Sequence, residues 1–147
     1  MCQERVMSSA NIKVSTSGRL HMGFFDLHGG LGRKFGSIGL SLEQPVLEIK
    51  ASPSNKLTVV SANAVPQTVV AKACSIAESL LAKLDLNASV ELDLLQSIPV
   101  HAGLGSGTQL ALAIGAVISR LYNLGLSTAR IAELTGRGGR SGIGIAA

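Results

Sequence analysis

This 147-residue chain has no tryptophan, one tyrosine and three phenylalanines, so aromatics make up only 3 % of it. Without aromatic faces there is no platform on which single-stranded nucleic-acid bases could stack. Basic residues are in slight excess, 13 Lys and Arg against 9 Asp and Glu, and they are scattered. The tightest group, Arg137-Gly-Gly-Arg140, is too short for a nucleic-acid stripe. Two cysteines, Cys2 and Cys74, do not make a disulfide framework, and neither has the company of a zinc site. Cys74 reads as a small core residue on the apolar side of a helix. No apolar run reaches the roughly 18 residues of a membrane span, and the first residues lack the apolar stretch of a signal peptide. The expectation is a cytoplasmic domain with neither membrane nor nucleic acid among its partners. A net charge of +4 suits small anionic ligands better than a polyanion.

What is abundant is small and aliphatic. Hydrophobic residues make up 46 % of the chain and glycine accounts for 17 positions. The length predicts one domain, which buries roughly two-thirds of its unfolded surface. Alternation predicts strands over 12–17 and, after a break at Gly18, over 21–27. Further strands are expected over 37–42, 46–50, 56–60 and 89–95, with Glu43-Gln44-Pro45 as a hairpin turn and Ala51–Asn55 as turn chemistry. Helical spacing of Val69, Ala73, Ile76, Ala77, Leu80 and Leu84 predicts a helix over 68–84. A second helix, apolar nearly all round, is expected from Gly107 or Thr108 to Tyr122. Ser127 caps a third that Gly136 ends. Strands followed by helices predict an α+β domain, a mostly antiparallel sheet with helices on one face.

The stretch Pro99-Val-His-Ala-Gly103-Leu-Gly105-Ser106-Gly107-Thr108-Gln109 joins the last strand to the second helix. A glycine-rich turn feeding a helix start leaves backbone N–H groups without intrahelical partners, at the positive end of the helix dipole. That combination binds phosphate. Gly103, Gly105 and Gly107 can take φ > 0 and let a ligand approach, while Ser106 and Thr108 add hydroxyls for an oxygen or a metal. The plainer reading makes Ser106 an ordinary helix cap. Upstream, Arg19 and His21 have one residue between them and share a strand face. Arg19 offers a planar fork for phosphate or carboxylate, and His21 could donate to the same oxygens or move a proton. Asp26 could hold a metal or orient the arginine; equally, Arg19 and Asp26 could form a structural pair. The glycine-bearing basic stretch from His28 to Gly36 suits a sugar phosphate or is an ordinary hairpin end. His28 and His101 have no evident carboxylate or cysteine neighbours.

The glycine string resembles the Pro-x-x-x-Gly-Leu-Gly-Ser-Ser signature of the GHMP kinases, and it is not of the Walker type. Three further segments, Arg19-Leu-His21-Met-Gly23-Phe-Phe-Asp26, Gly36-Ser-Ile-Gly39-Leu and Gly136-Arg-Gly-Gly-Arg140-Ser141-Gly-Ile-Gly144, narrow the resemblance to the β-ribofuranosylaminobenzene 5'-phosphate synthases. It implies a GHMP-kinase N-terminal domain over residues 1–147, truncated, with the C-terminal domain outside the chain. It implies condensation of phosphoribosyl pyrophosphate with p-aminobenzoate or 4-hydroxybenzoate, on the way to tetrahydromethanopterin. Gly103, Leu104, Gly105, Ser106, Gly107 and Thr108 would then bind the diphosphate, with Arg140 and Ser141 as further anion contacts. Arg19, His21 and Asp26 would be catalytic, and Mg²⁺ would meet Ser106 and Thr108 with no organic cofactor. The longer protein is expected to be a homodimer. The alternative is an ATP-dependent small-molecule kinase. Two departures weigh against it: Gly107 stands where the kinases have a second serine, and Gly144 where they have an aspartate base. Losing a general base costs roughly 10²–10⁴-fold in rate.

Overall fold

The computed structural model describes residues 11–30, 32, 36–138 and 143–146. In chain order these form β1 (Ile12–Phe25), β2 (Gly36–Ser54), β3 (Thr58–Ser61), α1 (Gln67–Lys83), β4 (Ser89–Gln96), α2 (Ser106–Leu121), α3 (Thr128–Leu134) and α4 (Ile143–Ala146). The sheet order is β1-β2-β4-β3. β1 pairs antiparallel with β2 and β2 with β4, while β3 and β4 run parallel, joined by the α1 crossover.

Period-two burial builds one apolar sheet face. Leu47, Ile49 and Ala51 of β2 and Val90, Leu92 and Leu94 of β4 are all buried. Against them lie Ala73, Ala77 and Leu80 of α1 and Ile114, Val117 and Ile118 of α2, in one continuous core. Each valine, leucine or isoleucine among them contributes about 1.5–3 kcal/mol when taken out of water. α2 is buried nearly all round because α3 covers its other side, where Leu112 meets Ile131 and Ala132. Ser127 caps α3 by accepting from the Arg130 N–H at 3.2 Å, and Gly136 follows it with φ +66.

Three local expectations fail, each for a tertiary reason. Glu43-Gln44-Pro45 is not a hairpin turn. β2 runs through it, and the β1–β2 pairing extends instead to Phe25↔Gly36. The pairing jumps from Ser17↔Val46 to Arg19↔Ser41, so the residues around cis Pro45 bulge out of the ladder, where a missing N–H costs nothing. Ala51 to Ser54 is strand rather than turn, because β4 supplies partners from Leu92 back to Ser89. Gly18 does not break β1 either; it marks a register shift inside one strand. Cys74 is half-buried beside the apolar stripe of α1 rather than in it.

Gly115 shows how tightly the helices meet. A Cβ there would stand 3.2 Å from Ile131 Cβ and Cγ1, and closer still to Cγ2. Helix propensity alone would have Gly115→Ala stabilise α2 by up to about 1 kcal/mol. Overpacking against α3 outweighs this, so a net loss of about 1–3 kcal/mol is expected from the urea midpoint. Ile131→Ala in the same chain should show favourable coupling with it. A stabilised Gly115→Ala would contradict this packing.

Candidate functional site

The backbone of the glycine loop is shaped by two left-handed residues, Gly103 at φ +72 and Gly105 at φ +73. Gly105 is the cap of α2 and has no side chain to cap with. Ser106 is therefore the first helical residue rather than the cap, and its hydroxyl lines a cavity instead. The N–H groups of Thr108 and Gln109 both bond to the Gly105 carbonyl, at 3.0 and 3.1 Å. Those of Ser106 and Gly107 belong to the first turn, where a helix supplies no acceptor. Gly107 lies inside the helix with φ outside the left-handed range, so it serves close approach rather than a turn.

Two bonds fasten this loop to β1. The Arg19 N–H donates to the Leu104 carbonyl at 3.0 Å. The Thr16 hydroxyl lies 2.6 Å from Oε1 of Gln109, a side chain only 2 % exposed. Leu104 itself packs on the core, so it anchors the loop from below. As a result the Arg19 guanidinium lies over the loop: a Cβ on Gly105 would meet its Nε at 2.9 Å and its Cζ at 3.2 Å.

Two more cations arrive from elsewhere. A Cβ on Gly107 would stand 3.0 Å from Lys72 Nζ and 3.8 Å from Arg137 Nη1. The Nε atoms of Arg19 and Arg137 are buried and meet no acceptor among the described residues. None of these three cations forms an ion pair there either; the ion pairs are Lys13–Glu48, His28–Asp26 and Arg130–Glu133. Lys72 escapes sequence reading because it sits on the polar side of α1, one residue from buried Ala73, like any solvated lysine. Arg137 stood out only as part of a basic pair.

Beside the loop is a cavity of about 230 Å³. Leu47, Val69, Ile98 and Leu110 give it apolar walls, and Lys72, His101 and Ser106 add polar groups. His21 shares the face of Arg19, packs on the Phe24 ring at 4.4 Å, and keeps a buried Nε2 without an acceptor among the described residues. Asp26 is not brought to the loop. It lies just beyond the end of β1, seven residues past Arg19, roughly 20 Å at strand spacing. Its carboxylate stands 3.9 Å from His28 Nε2, so the Arg19–Asp26 pair is not made and His28 does have a carboxylate neighbour. Arg140 and Ser141, like Cys2 and the Arg33-Lys34 pair, lie outside the described residues. Burial first, then the Glu78 carboxylate 3.8 Å away, push the Cys74 thiol above its ordinary value, which makes it a poor nucleophile. Among the described residues no three His, Cys, Asp or Glu gather as metal ligands, and no helix is long and apolar enough to cross a membrane.

Residues 69–147 match the family model of the GHMP kinases N terminal domain. The chain belongs to that family. It is 38 % identical over 141 residues to a "Beta-ribofuranosylphenol 5'-phosphate synthase" of Methanocaldococcus jannaschii, covering 91 % of this chain and 43 % of that protein. A protein of the same name from Archaeoglobus fulgidus is 38 % identical over 135 residues, covering 92 % of this chain and 41 % of that protein. The chain thus spans about two fifths of the length of these curated relatives. Among solved structures, mevalonate kinase of L. major in complex with R-mevalonate shares the fold, with a TM-score of 0.65 at 17 % identity, over 88 % of this chain and 42 % of that one.

The two left-handed glycines make a matched test. Alanine at either position pays the left-handed penalty of about 1–2 kcal/mol. At Gly103 nothing lies within 4 Å, whereas at Gly105 the new Cβ also displaces Arg19. Both variants are expected to lose similar thermal stability, and Gly105→Ala alone should also weaken pyrophosphate binding well beyond Gly103→Ala. Equal anion affinity in the two would contradict a role for Arg19 over the loop.

Proposed function

We propose that this domain binds the diphosphate of phosphoribosyl pyrophosphate and serves a β-ribofuranosylaminobenzene or β-ribofuranosylphenol 5'-phosphate synthase. The observation that carries the reading is the meeting of Arg19, Lys72 and Arg137 over the glycine loop, beside a cavity that takes one aromatic ring. The acceptor is p-aminobenzoate or 4-hydroxybenzoate, and the product feeds tetrahydromethanopterin synthesis. The names of the curated relatives support the same class of product.

The reaction joins the ring carbon that bears the carboxylate to the anomeric carbon of the sugar. The bond from that carbon to the diphosphate breaks, and the oxygen keeps the electron pair. The ring–carboxylate bond then breaks, its pair restores the aromatic ring, and carbon dioxide leaves. No hydroxyl has to be deprotonated, so a site without the kinase aspartate suffices. What the step needs is a stabilised leaving group while positive charge develops on the sugar. The N–H groups of Ser106 and Gly107, and the three cations, supply that at the diphosphate. The apolar walls of the cavity, Leu47, Val69, Ile98 and Leu110, would cover part of the ring.

Of the two hydroxyls considered for magnesium, Ser106 lines the cavity whereas Thr108, two residues on in the same helix, does not, and there is no carboxylate cluster among the described residues. That set fits an ion that arrives on the diphosphate and completes its shell with phosphate oxygens and water. Bound there, it would supply further neutralisation of the leaving group.

The test has two arms. Phosphoribosyl pyrophosphate with Mg²⁺ is expected to raise the chain's thermal midpoint, by about 2.7 kcal/mol of stabilisation at a hundredfold excess over Kd, and to do so more than ATP. Carboxyl-labelled benzoates should release labelled carbon dioxide only when phosphoribosyl pyrophosphate is present. Ser106→Ala or Arg19→Ala should cut that release roughly tenfold to a hundredfold. Stabilisation by ATP instead, with ATP consumed when alcohols are added, would move the chain to the kinase alternative.

A further inference from the structure

We infer that Lys72 and Arg137 form a two-sided clamp on the diphosphate, with Gly107 left bare so that both can reach it. The inference deepens the function proposed above and rests on it for the identity of the anion as a leaving group. Gly107 is the starting point. It sits in the first turn of α2 with an ordinary helical backbone, so nothing in its conformation calls for glycine. A glycine inside a helix costs up to about 1 kcal/mol against alanine. What its bare Cα provides is room: Lys72 Nζ and Arg137 Nη1 lie 3.0 and 3.8 Å from where a Cβ would stand.

The two cations come from different elements: Lys72 belongs to α1, and Arg137 follows the end of α3. Neither is paired with a carboxylate among the described residues, and Arg137 keeps a buried Nε without an acceptor there. Like charges brought together repel unless an anion sits between them. The anion is two phosphoryl groups rather than one, because the positive charge is split along the loop. Arg19 lies at Gly105, and Lys72 with Arg137 lies at Gly107. A single phosphoryl group would meet one of these positions; a diphosphate meets both.

The test is calorimetry of the whole 147-residue chain with inorganic pyrophosphate and with orthophosphate, each with and without Mg²⁺. The unaltered chain is expected to bind pyrophosphate at least tenfold tighter than orthophosphate. Lys72→Met and Arg137→Met should each weaken pyrophosphate about tenfold to a hundredfold and flatten its salt dependence, while Lys72→Arg keeps most of the affinity. Lys72 is exposed and Arg137 half-buried, so the thermal midpoints of the free variants should stay close to that of the unaltered chain. Pyrophosphate affinities within twofold of the unaltered chain in both Met variants would overturn the clamp, as would equal binding of the two anions. The two failures are separable. A failed clamp leaves phosphoribosyl-dependent carbon dioxide release in the Met variants, whereas a failed synthase reading leaves pyrophosphate binding sensitive to Lys72 and Arg137 with no such release.

Discussion

The backbone N–H of Arg19 donates to the Leu104 carbonyl at 3.0 Å, and that bond joins the strand carrying the arginine to the loop carrying the glycines. The rest of the site follows from it. Arg19 lies over Gly105 because its own main chain is tied to the preceding residue, and Gly105 tolerates it because it has no side chain. The Thr16–Gln109 contact repeats the fastening one turn into the helix, from a buried glutamine in a mostly apolar helix. Both fastenings lie at the edge of the core, so the loop inherits the rigidity of the sheet. A loop held this way keeps its first-turn N–H groups aimed at one point, which is what makes pre-set donors effective at a developing charge.

Electrostatically the start of α2 concentrates positive charge. Three cations surround the helix start, whose own dipole is positive, and the ion pairs among the described residues all lie elsewhere. Their mutual repulsion weakens the free domain slightly and is screened by salt. A bound polyanion turns that repulsion into attraction. The chain carries a modest net charge of +4, so the asymmetry comes from placement rather than from composition.

Much of the site was legible in the sequence because its signals are local. Left-handed backbone at Gly103 and Gly105 and a helix beginning just after them are encoded by neighbouring residues, although the helix starts at Ser106 rather than one or two residues later, and strand parity put Arg19 and His21 on one face. The helices were equally plain, since the 3.6-residue spacing of α1 needs no partner to be seen. What stayed hidden depends on tertiary neighbours. The Lys72 position becomes meaningful only when α1 packs beside α2. Asp26 looked close to Arg19 in sequence, but an unbroken strand carried it away. The turn expected at Glu43-Gln44-Pro45 was overruled by a longer β2 that β1 pairs on either side of it, at Ser41 and at Val46. Gly107 resembles the turn glycines in sequence, although its backbone is helical.

The most direct test of the account is an amide NMR titration of the chain with inorganic pyrophosphate, following the backbone N–H signals. The account predicts that Ser106 and Gly107 shift most, that Gly105 moves with them, and that Gly29 and Gly30 stay still. Shifts centred on the 28–36 connection, with the helix start unmoved, would place the anion on the hairpin end and contradict it.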